Sequence, residues 1–335
     1  MTTLITGAGL IGRLTAEQLS EQGETVVLAD IRADAEPRSA GASRRADALR
    51  VTPCDVTDVV RLAELVETHN VTSIVHTAAL LSSAIRRDPL AGVHVNTIGT
   101  ANVLEIARRH GLKRVVMASS TTVAYSAFGS LPAEPVAEDF MSHSVSEAPA
   151  SIYAATKIAS EHLALAYANL YGVDAIVLRY GAVLGAGPEA ATSVPGRLLG
   201  QLLDAGRTAT PARLDDPVLL WNGREEFVDA RDCARANVAA LQTGTPGQRV
   251  FNVATGDWFT VDEFVGTVRE QYPALRVEGM HLPQGGFAAF PHRRPAPSDV
   301  RAARNSLGFS AQYSLADSIS HFAARMAQRG TAGGN

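Results

Sequence analysis

Residues 3–12 read Thr3-Leu4-Ile5-Thr6-Gly7-Ala8-Gly9-Leu10-Ile11-Gly12. The reading predicts a short β-branched strand over Thr3–Thr6. Gly7, Gly9 and Gly12 follow at G-x-G-x-x-G spacing, and a helix opens over Leu10–Gln22, with Gly23 marking its end. Each glycine has a physical reason to be there. The three allow a tight turn, leave room for a pyrophosphate against bare backbone, and permit close helix–strand contact. The first helical turn, with Leu10 and Ile11, offers free N–H groups and a positive dipole end to phosphates. A second predicted strand, Thr25–Asp30, ends in Asp30, 18 residues past Gly12. A dinucleotide fold needs an acceptor for the ribose hydroxyls there. Strand, glycine loop, helix and acidic end together predict nucleotide binding rather than an ordinary glycine turn. A carboxylate at position 30 would repel a 2′-phosphate, so NAD is expected over NADP. Arg32 and Arg44-Arg45 in the next loop are the residues that would counter this.

The chain has 335 residues, of which 46% are hydrophobic, enough for one large domain or two closely packed ones. Its net charge is −4, with 30 basic and 34 acidic residues interspersed. That balance argues against nucleic acid and anionic membrane surfaces and suits a small-molecule substrate. No apolar run reaches the ~18 residues of a spanning helix. A strand begins at once, leaving no room for a signal peptide. Cys54 and Cys233 are the two cysteines. Both read as buried small apolar residues, and a cytoplasmic location is expected. Nine scattered histidines show no metal-ligand spacing, so no metal is expected.

Strand and helix patterns alternate through the first two thirds, the signature of a doubly wound parallel sheet. The predicted strands are Thr3–Thr6, Thr25–Asp30, Arg50–Cys54, Ser73–His76, Arg114–Ala118 and Ala175–Tyr180. Their near-continuous Val, Ile, Leu and Ala content fits a sheet covered on both faces. Helices are predicted at Leu10–Gln22, Val56–His69, Asn96–His110 and Ile152–Tyr171, the last two followed by Gly111 and Gly172 as C-caps. Asp30–Leu49 reads as a surface loop. Beyond about residue 181 the alternation stops. A helix near Pro195–Ala205, a strand around Glu226–Val228, a helix at Ala230–Leu241, a strand at Arg249–Ala254 and a final helix near Leu315–Arg329 are predicted. The expected organisation is a Rossmann domain over 1–181, with elements contributed by about 226–254. A smaller α+β substrate-binding cap follows over 182–330, and 331–335 form a disordered tail.

Tyr153 and Lys157 stand four apart in a predicted helix, on one face and a turn apart. A phenol is a poor base at neutral pH, and a nearby cation lowers its pKa. Lys157 can supply that cation and donate to a cofactor ribose. Tyr153 then moves a proton to or from a substrate oxygen while a nicotinamide carries the hydride. Ser120 lies in a Ser-Ser-Thr-Thr cluster 33 residues upstream of Tyr153, just past the strand Arg114–Ala118. It can hold the same oxygen, because carboxyl-end residues of such sheets meet the ligand crevice.

These pieces resemble the extended short-chain dehydrogenase/reductases, which include the NAD-dependent epimerases and dehydratases. The resemblance covers nearly the whole chain. It rests on Thr6-Gly7…Gly12, Asp30, Asp55-Val56, His76-Thr77-Ala78-Ala79, Asn96 with Gly99-Thr100, Ser119-Ser120, Tyr153…Lys157 and Leu178-Arg179-Tyr180. Arg224 with Phe227-Val228-Asp229, Phe251-Asn252-Val253, and Asp299 before Leu307-Gly308-Phe309 extend it. By resemblance, Asp55 and Val56 would flank the adenine, and Ala78 and Ala79 would line the pyrophosphate–ribose path. Ser120 would bind the substrate oxygen, Tyr153 would be the acid/base and Lys157 its activator. Asp55 also reads as a helix N-cap, and Asn96 as either a helix cap or a cofactor contact. Three departures stand out. The glycine loop is one residue shorter than usual in the family. Thr121 and Thr122 replace the Asp-Glu of the dehydratases. Ala182 replaces the asparagine with which nucleotide-sugar epimerases touch the substrate diphosphate.

The substrate is expected between the strand ends and the cap, near Leu80, Ser82, Thr121, Thr122, Ala182 and Arg224. Arg224 reads either as a phosphate or carboxylate clamp or as a surface ion pair. As a clamp it implies an anionic, sugar-like substrate. An epimerase that oxidises a carbinol and returns the hydride to the other face is the leading expectation. A net dehydrogenase or ketoreductase on a smaller substrate is the alternative, and an inactive NAD(H) sensor is the third. The apolar faces of the helices at Asn96–His110 and Ile152–Tyr171 lead to a homodimer as the expected assembly.

Overall fold

The computed structural model describes residues 1–32, 49–140, 151–187 and 193–332. The strands in chain order are β1 (Thr2–Thr6), β2 (Thr25–Asp30), β3 (Val51–Pro53), β4 (Ser73–His76), β5 (Arg114–Ser120) and β6 (Ala175–Tyr180). They continue with β7 (Ala182–Leu184), β8 (Ala212–Arg213), β9 (Glu225–Asp229), β10 (Val250–Val253), β11 (Trp258–Phe259) and β12 (Val277–Glu278). Seven of them form one parallel sheet in the order β10-β6-β5-β4-β1-β2-β3. From β3 to β6 this is the doubly wound order, with the strand sequence reversing between β1 and β4. All four β4 residues and all six of β6 are buried, as expected of central strands covered on both faces, and Ser73, His76 and Arg179 are buried with them.

Helices cover both faces. One core, around Leu4, Leu62, Ile74, Leu104 and Val115, lies under the helices Val59–Thr68 and Gly99–His110. The other, around Ile5, Leu19, Leu28, Ile176 and Phe251, lies under Leu10–Glu21 and Ala230–Gln242. A third core belongs to the second half of the chain. There the rings of Trp221, Phe227, Phe264 and Phe287 pack at centroid distances of 4.9 to 6.1 Å. Two small sheets, β11-β9-β7 and β12-β8, build this part.

Several boundaries differ from the sequence reading. The second helix runs Val59–Thr68, because Asp58, not Asp55, caps it by accepting from the Arg61 amide at 2.9 Å. The third long helix begins well before Asn96. It runs through Pro89–Val93, a π-helical turn His94–Ile98, and Gly99–His110. Asn96 is therefore inside the helix and caps nothing. β5 is two residues longer than expected and carries Ser119 and Ser120 within the strand. β9 joins the small sheet with β7 rather than the main one, whereas β10 extends the main sheet beside β6. The last helix runs Leu315–Ala332, so 331 and 332 belong to it. The remaining tail positions 333–335 lie outside the described residues, as does most of the expected Asp30–Leu49 loop. Gly111 and Gly172 take the left-handed conformation as C-caps, and both cysteines are buried and free. Among the described residues no helix is long and apolar enough to cross a membrane.

The glycine loop is set by contact rather than by turn preference alone. Gly7 has φ +94°, and a Cβ there would lie 2.5 Å from the Ala78 nitrogen. A Cβ on Gly12 would lie 1.9 Å from the Gly7 carbonyl oxygen. The helix Leu10–Glu21 can approach β1 this closely only without that carbon. Gly12→Ala is therefore expected to destabilise the fold by about 1–3 kcal/mol or more, the range for overpacking against atoms that cannot yield. Equilibrium denaturation measures it, and an unchanged midpoint would contradict the close approach.

Candidate active site

One cavity of about 420 Å³ runs along the carboxyl ends of the central strands. Its first half is the glycine loop. No side chain caps the helix Leu10–Glu21, whose first-turn amides have no intrahelical partner, and Gly9, Leu10, Ile11 and Gly12 line the cavity. Asp30 stands at its edge, at the end of β2. Its Oδ2 accepts from the Ala8 amide at 2.8 Å and its Oδ1 from the Arg32 amide at 3.1 Å. The carboxylate is thus fixed to the loop, and each oxygen retains a lone pair for a ribose hydroxyl. Asp55, Val56, Ala78 and Ala79 complete this end. The Asp55 Oδ1 accepts from both the Thr57 amide and hydroxyl at 2.8 Å, which forms a tight turn in place of the cap role. Uncapped amides, bare glycine backbone and a fixed acceptor together fit a dinucleotide.

Asn96 does not reach this cavity wall. It is 2% exposed. Its Oδ1 accepts from the Leu80 amide at 2.7 Å, and its Nδ2 donates to the Leu80 carbonyl and to the Thr156 hydroxyl, both at 3.1 Å. The Asn96 carbonyl accepts from the hydroxyls of Thr100 and Ser160 at 2.7 and 2.8 Å. In this structure the side chain ties three segments together and makes its bonds to Leu80 and Thr156 rather than to the cavity wall. Thr100 also meets His76 Nε2 at 3.1 Å, and His76 Nδ1 meets the Thr6 hydroxyl at 2.7 Å. Burial, helped by the charge on Lys157, holds His76 down to about 3 and therefore neutral.

At the centre, β5 delivers Ser120 as its last residue. The helix Ile152–Tyr171, N-capped by Ser151, delivers Tyr153 and Lys157. Ser120 Oγ accepts from the Thr122 amide at 3.2 Å and is hydrogen-bonded to the Tyr153 side chain. Lys157 Nζ donates to the Ala118 carbonyl at 2.8 Å and lies 5.8 Å from the centre of the Tyr153 ring. The sequence reading has the lysine lowering the phenol. Instead, burial pushes the Tyr153 phenol up to about 12, with the Ser120 hydrogen bond opposing. Burial also pulls Lys157 down to about 8, against the charge of Glu161. The Lys157 head is turned to the Ala118 carbonyl rather than to the phenol.

Beyond the tyrosine the wall changes character. Leu80 and Ala182 line it as expected, joined by Leu81, Val183, Ser193, Pro195 and Phe287. These additions had little sequence signal. Phe287 arrives from a distant loop, and Ser193 is the N-cap of the helix Val194–Thr208. Ser82 opens the neighbouring helix Ser82–Arg87 without reaching the cavity wall. Thr121 is buried, its hydroxyl 3.4 Å from Arg294 Nη2, and the Thr122 hydroxyl is buried without a partner. Arg224 is elsewhere. It donates to the Trp258 carbonyl at 3.0 Å and to Glu263 at 2.7 Å, beside a separate shallow groove with Asp257 and Gly256. In this structure Arg224 makes the surface ion pair and does not line the cavity. Among the described residues no cluster of His, Cys, Asp and Glu could hold a metal.

A doubly wound sheet that sets a serine, a tyrosine and a lysine beside a nucleotide cradle defines a dinucleotide-dependent enzyme of hydride transfer. Comparison with known proteins is consistent with this. The chain belongs to the NAD dependent epimerase/dehydratase family, whose sequence profile matches residues 3–254. It is 30% identical over 327 residues to a UDP-glucose 4-epimerase of Mycolicibacterium smegmatis, covering 95% of this chain and 96% of that protein. Among solved structures, it superposes on a GalE-like L-threonine dehydrogenase from Cupriavidus necator with a TM-score of 0.77 at 25% identity. That match covers 97% of this chain and 99% of the other. A Thermus thermophilus UDP-glucose 4-epimerase complexed with NAD superposes with a TM-score of 0.70 at 25% identity, covering 96% and 99%. The protein is an NAD-dependent extended short-chain dehydrogenase/reductase.

Asp30 makes the cofactor preference testable. A 2′-phosphate would meet its fixed carboxylate, a clash of about 1–3 kcal/mol when partly desolvated. NADP is therefore expected to bind about 10- to 100-fold more weakly than NAD in a fluorescence titration. Equal affinities would show that Arg32 overrides Asp30.

Proposed function

We propose that the chain is a net NAD-dependent dehydrogenase or ketoreductase. It would act at a secondary alcohol or ketone of a small substrate, with Tyr153 as acid/base and Ser120 holding the reacting oxygen. Lys157 would steady the phenolate and a cofactor ribose, and the bound NAD would supply or accept the hydride. The Gly7–Gly12 loop, Asp30, Asp55, Val56, Ala78 and Ala79 would hold the cofactor. The half of the chain built after residue 181, apart from β10, would cover the substrate. The observation that carries the choice is the wall beyond Tyr153. Leu80, Leu81, Ala182, Val183, Pro195 and Phe287 are apolar, and no described Lys or Arg lines that end. Positions 141–150 and 188–192 contain neither residue in the sequence.

Epimerisation is the second reading, and the M. smegmatis relative favours it. Returning hydride to the opposite face requires the ketone to turn while another part of the substrate stays anchored. With Arg224 paired to Glu263 and Ala182 in place of an asparagine, the cavity offers a diphosphate little to hold. An anionic sugar substrate therefore stays with this second reading. The discriminating measurement is free NADH across a panel of secondary alcohols, sugars, uronates and nucleotide sugars. Stoichiometric NADH supports the dehydrogenase, whereas an inverted product without NADH release overturns it. Tyr153→Phe is expected to bind NAD normally and lose about 10²–10⁴-fold in turnover, the usual worth of general acid–base catalysis. Activity within a few fold of the parent would remove Tyr153 from that role.

The same chain is proposed to act as a homodimer. Leu90 (74% exposed) and Ile98 lie on one long helix, and Ile152, Leu165, Leu170 and Tyr171 on its neighbour. A second copy, related by a two-fold axis, would cover part of this exposed apolar surface. Light scattering at micromolar concentration is expected to give twice the chain mass, and a monomer would overturn this.

A further inference from the structure

Lys113 and Lys157 are the two lysines of the chain, and every other basic side chain is an arginine or a histidine. Lys113 is exposed, whereas Lys157 is 6% exposed. An ammonium in that position loses its water and needs a compensating charge. Few groups around it can provide one. Tyr153 on the same helix is a neutral phenol, and His76 from β4 is neutral between two hydroxyls. Asp30 and Asp55 belong to the far end of the cavity. Glu161 is one helical turn beyond Lys157 and on the same face. It is 3% exposed.

Four hydrogen bonds fix that carboxylate. Its Oε1 accepts from the Ser119 hydroxyl at 2.5 Å and from Arg179 Nε at 3.0 Å, and its Oε2 accepts from Arg179 Nε at 3.1 Å and from Arg179 Nη2 at 2.7 Å. Arg179 reaches in from β6 and is itself held by the Glu138 carbonyl at 2.7 Å. A tie between helix and strand would need only an uncharged pair. A carboxylate buried beside a buried lysine does more, since its charge acts on the ammonium through a medium with little water to screen it.

We propose that Glu161 is a positioning residue that keeps Lys157 cationic, with Ser119 and Arg179 holding its carboxylate in place and tempering its charge. The proposal rests on the roles given above to Tyr153 and Lys157. In this arrangement Lys157 is poised between two opposing neighbours, and removing either moves its proton affinity in a defined direction. Glu161→Gln keeps the shape, deletes the negative charge and leaves Arg179 unbalanced, so Lys157 deprotonates at lower pH. Arg179→Gln leaves Glu161 unopposed, so Lys157 deprotonates at higher pH. A purely structural tie would give no such pair of opposite signs.

Full-length protein labelled with ¹⁵N and ¹³C at lysine gives two side-chain signals, which NMR follows with pH. In Glu161→Gln, Lys157 is expected to titrate at least ~1 pH unit lower than in the parent, the scale of a close charge partner. In Arg179→Gln it is expected to titrate higher, with Lys113 unmoved in both. An unmoved Lys157, or shifts of the same sign in both variants, overturns the proposal. If Glu161→Gln does not fold, Arg179→Gln decides alone, and a Lys157 that fails to move up overturns it. The loss of turnover at high pH is expected to follow Lys157 in each variant. If the NMR titration moves and the activity limb does not, Glu161 still governs the lysine, and the activating role of Lys157 in the proposed function falls.

Discussion

One buried amide holds the halves of the cofactor site in register. Asn96 clamps the Leu80 backbone from both sides and reaches Thr156, the residue next to Lys157. It can do so because the helix that carries it widens into a π-helical turn at His94–Ile98. Such a turn rotates side chains relative to a regular helix, and it is a recurrent device at functional positions. From Asn96 the network passes through Thr100 and His76 to Thr6, where the glycine loop begins. Losing the amide would strand several buried donors and acceptors at once, each costing about 1–3 kcal/mol. The nucleotide cradle, the Leu80 wall and the catalytic helix therefore share one polar spine.

The parts legible in the sequence are those governed by local rules. β1, β2, β4 and β6 show themselves through short apolar runs, and Gly7, Gly9 and Gly12 through spacing. The helix Ile152–Tyr171 is legible to the residue, with Ser151 before it and Gly172 after it. What is not legible depends on distant partners. Asp55 and Asp58 are both sound caps on paper, and the local sequence does not say that Asp55 turns onto Thr57 while Asp58 takes the Arg61 amide. Asn96 resembles a cap because a π turn has no sequence signature. Arg224 reads as available because nothing in its neighbourhood announces Glu263, which arrives from another helix. The apolar contribution of Phe287 to the cavity is likewise a fact of tertiary packing. The effect of Lys157 on Tyr153 escapes the sequence for a related reason. Spacing fixes which face a side chain is on, and burial fixes what its charge is worth.

A second buried charge cluster lies beside the first turn after β5. Arg294 is 5% exposed. It lies 2.7 Å from Glu225 and 3.2 Å from Glu226, with its guanidinium 5.3 and 4.9 Å from the ring centres of Tyr125 and Phe128. Its remaining arm approaches Thr121, immediately after Ser120. Burial raises the Glu225 carboxyl, and the Arg294 charge opposes that rise. A pair of this kind adds little net stability over a well-packed apolar substitute, yet losing one partner is strongly destabilising. It therefore acts as a rigid floor beneath the turn that follows Ser120, binding β9 of the second half to the first.

The first passage from the main sheet to the small one takes a single residue. Tyr180, the register partner of Ser120, closes β6, and after Gly181 the chain is already Ala182 in β7, paired with Phe227 in a different sheet. Ser120 and the side chain at position 182 thus line one cavity while belonging to separate sheets. Side chains on β7 and β9 can therefore change without disturbing the hydrogen bonds of the main sheet, while Leu80 and Leu81 tie the rest of the same wall to that sheet.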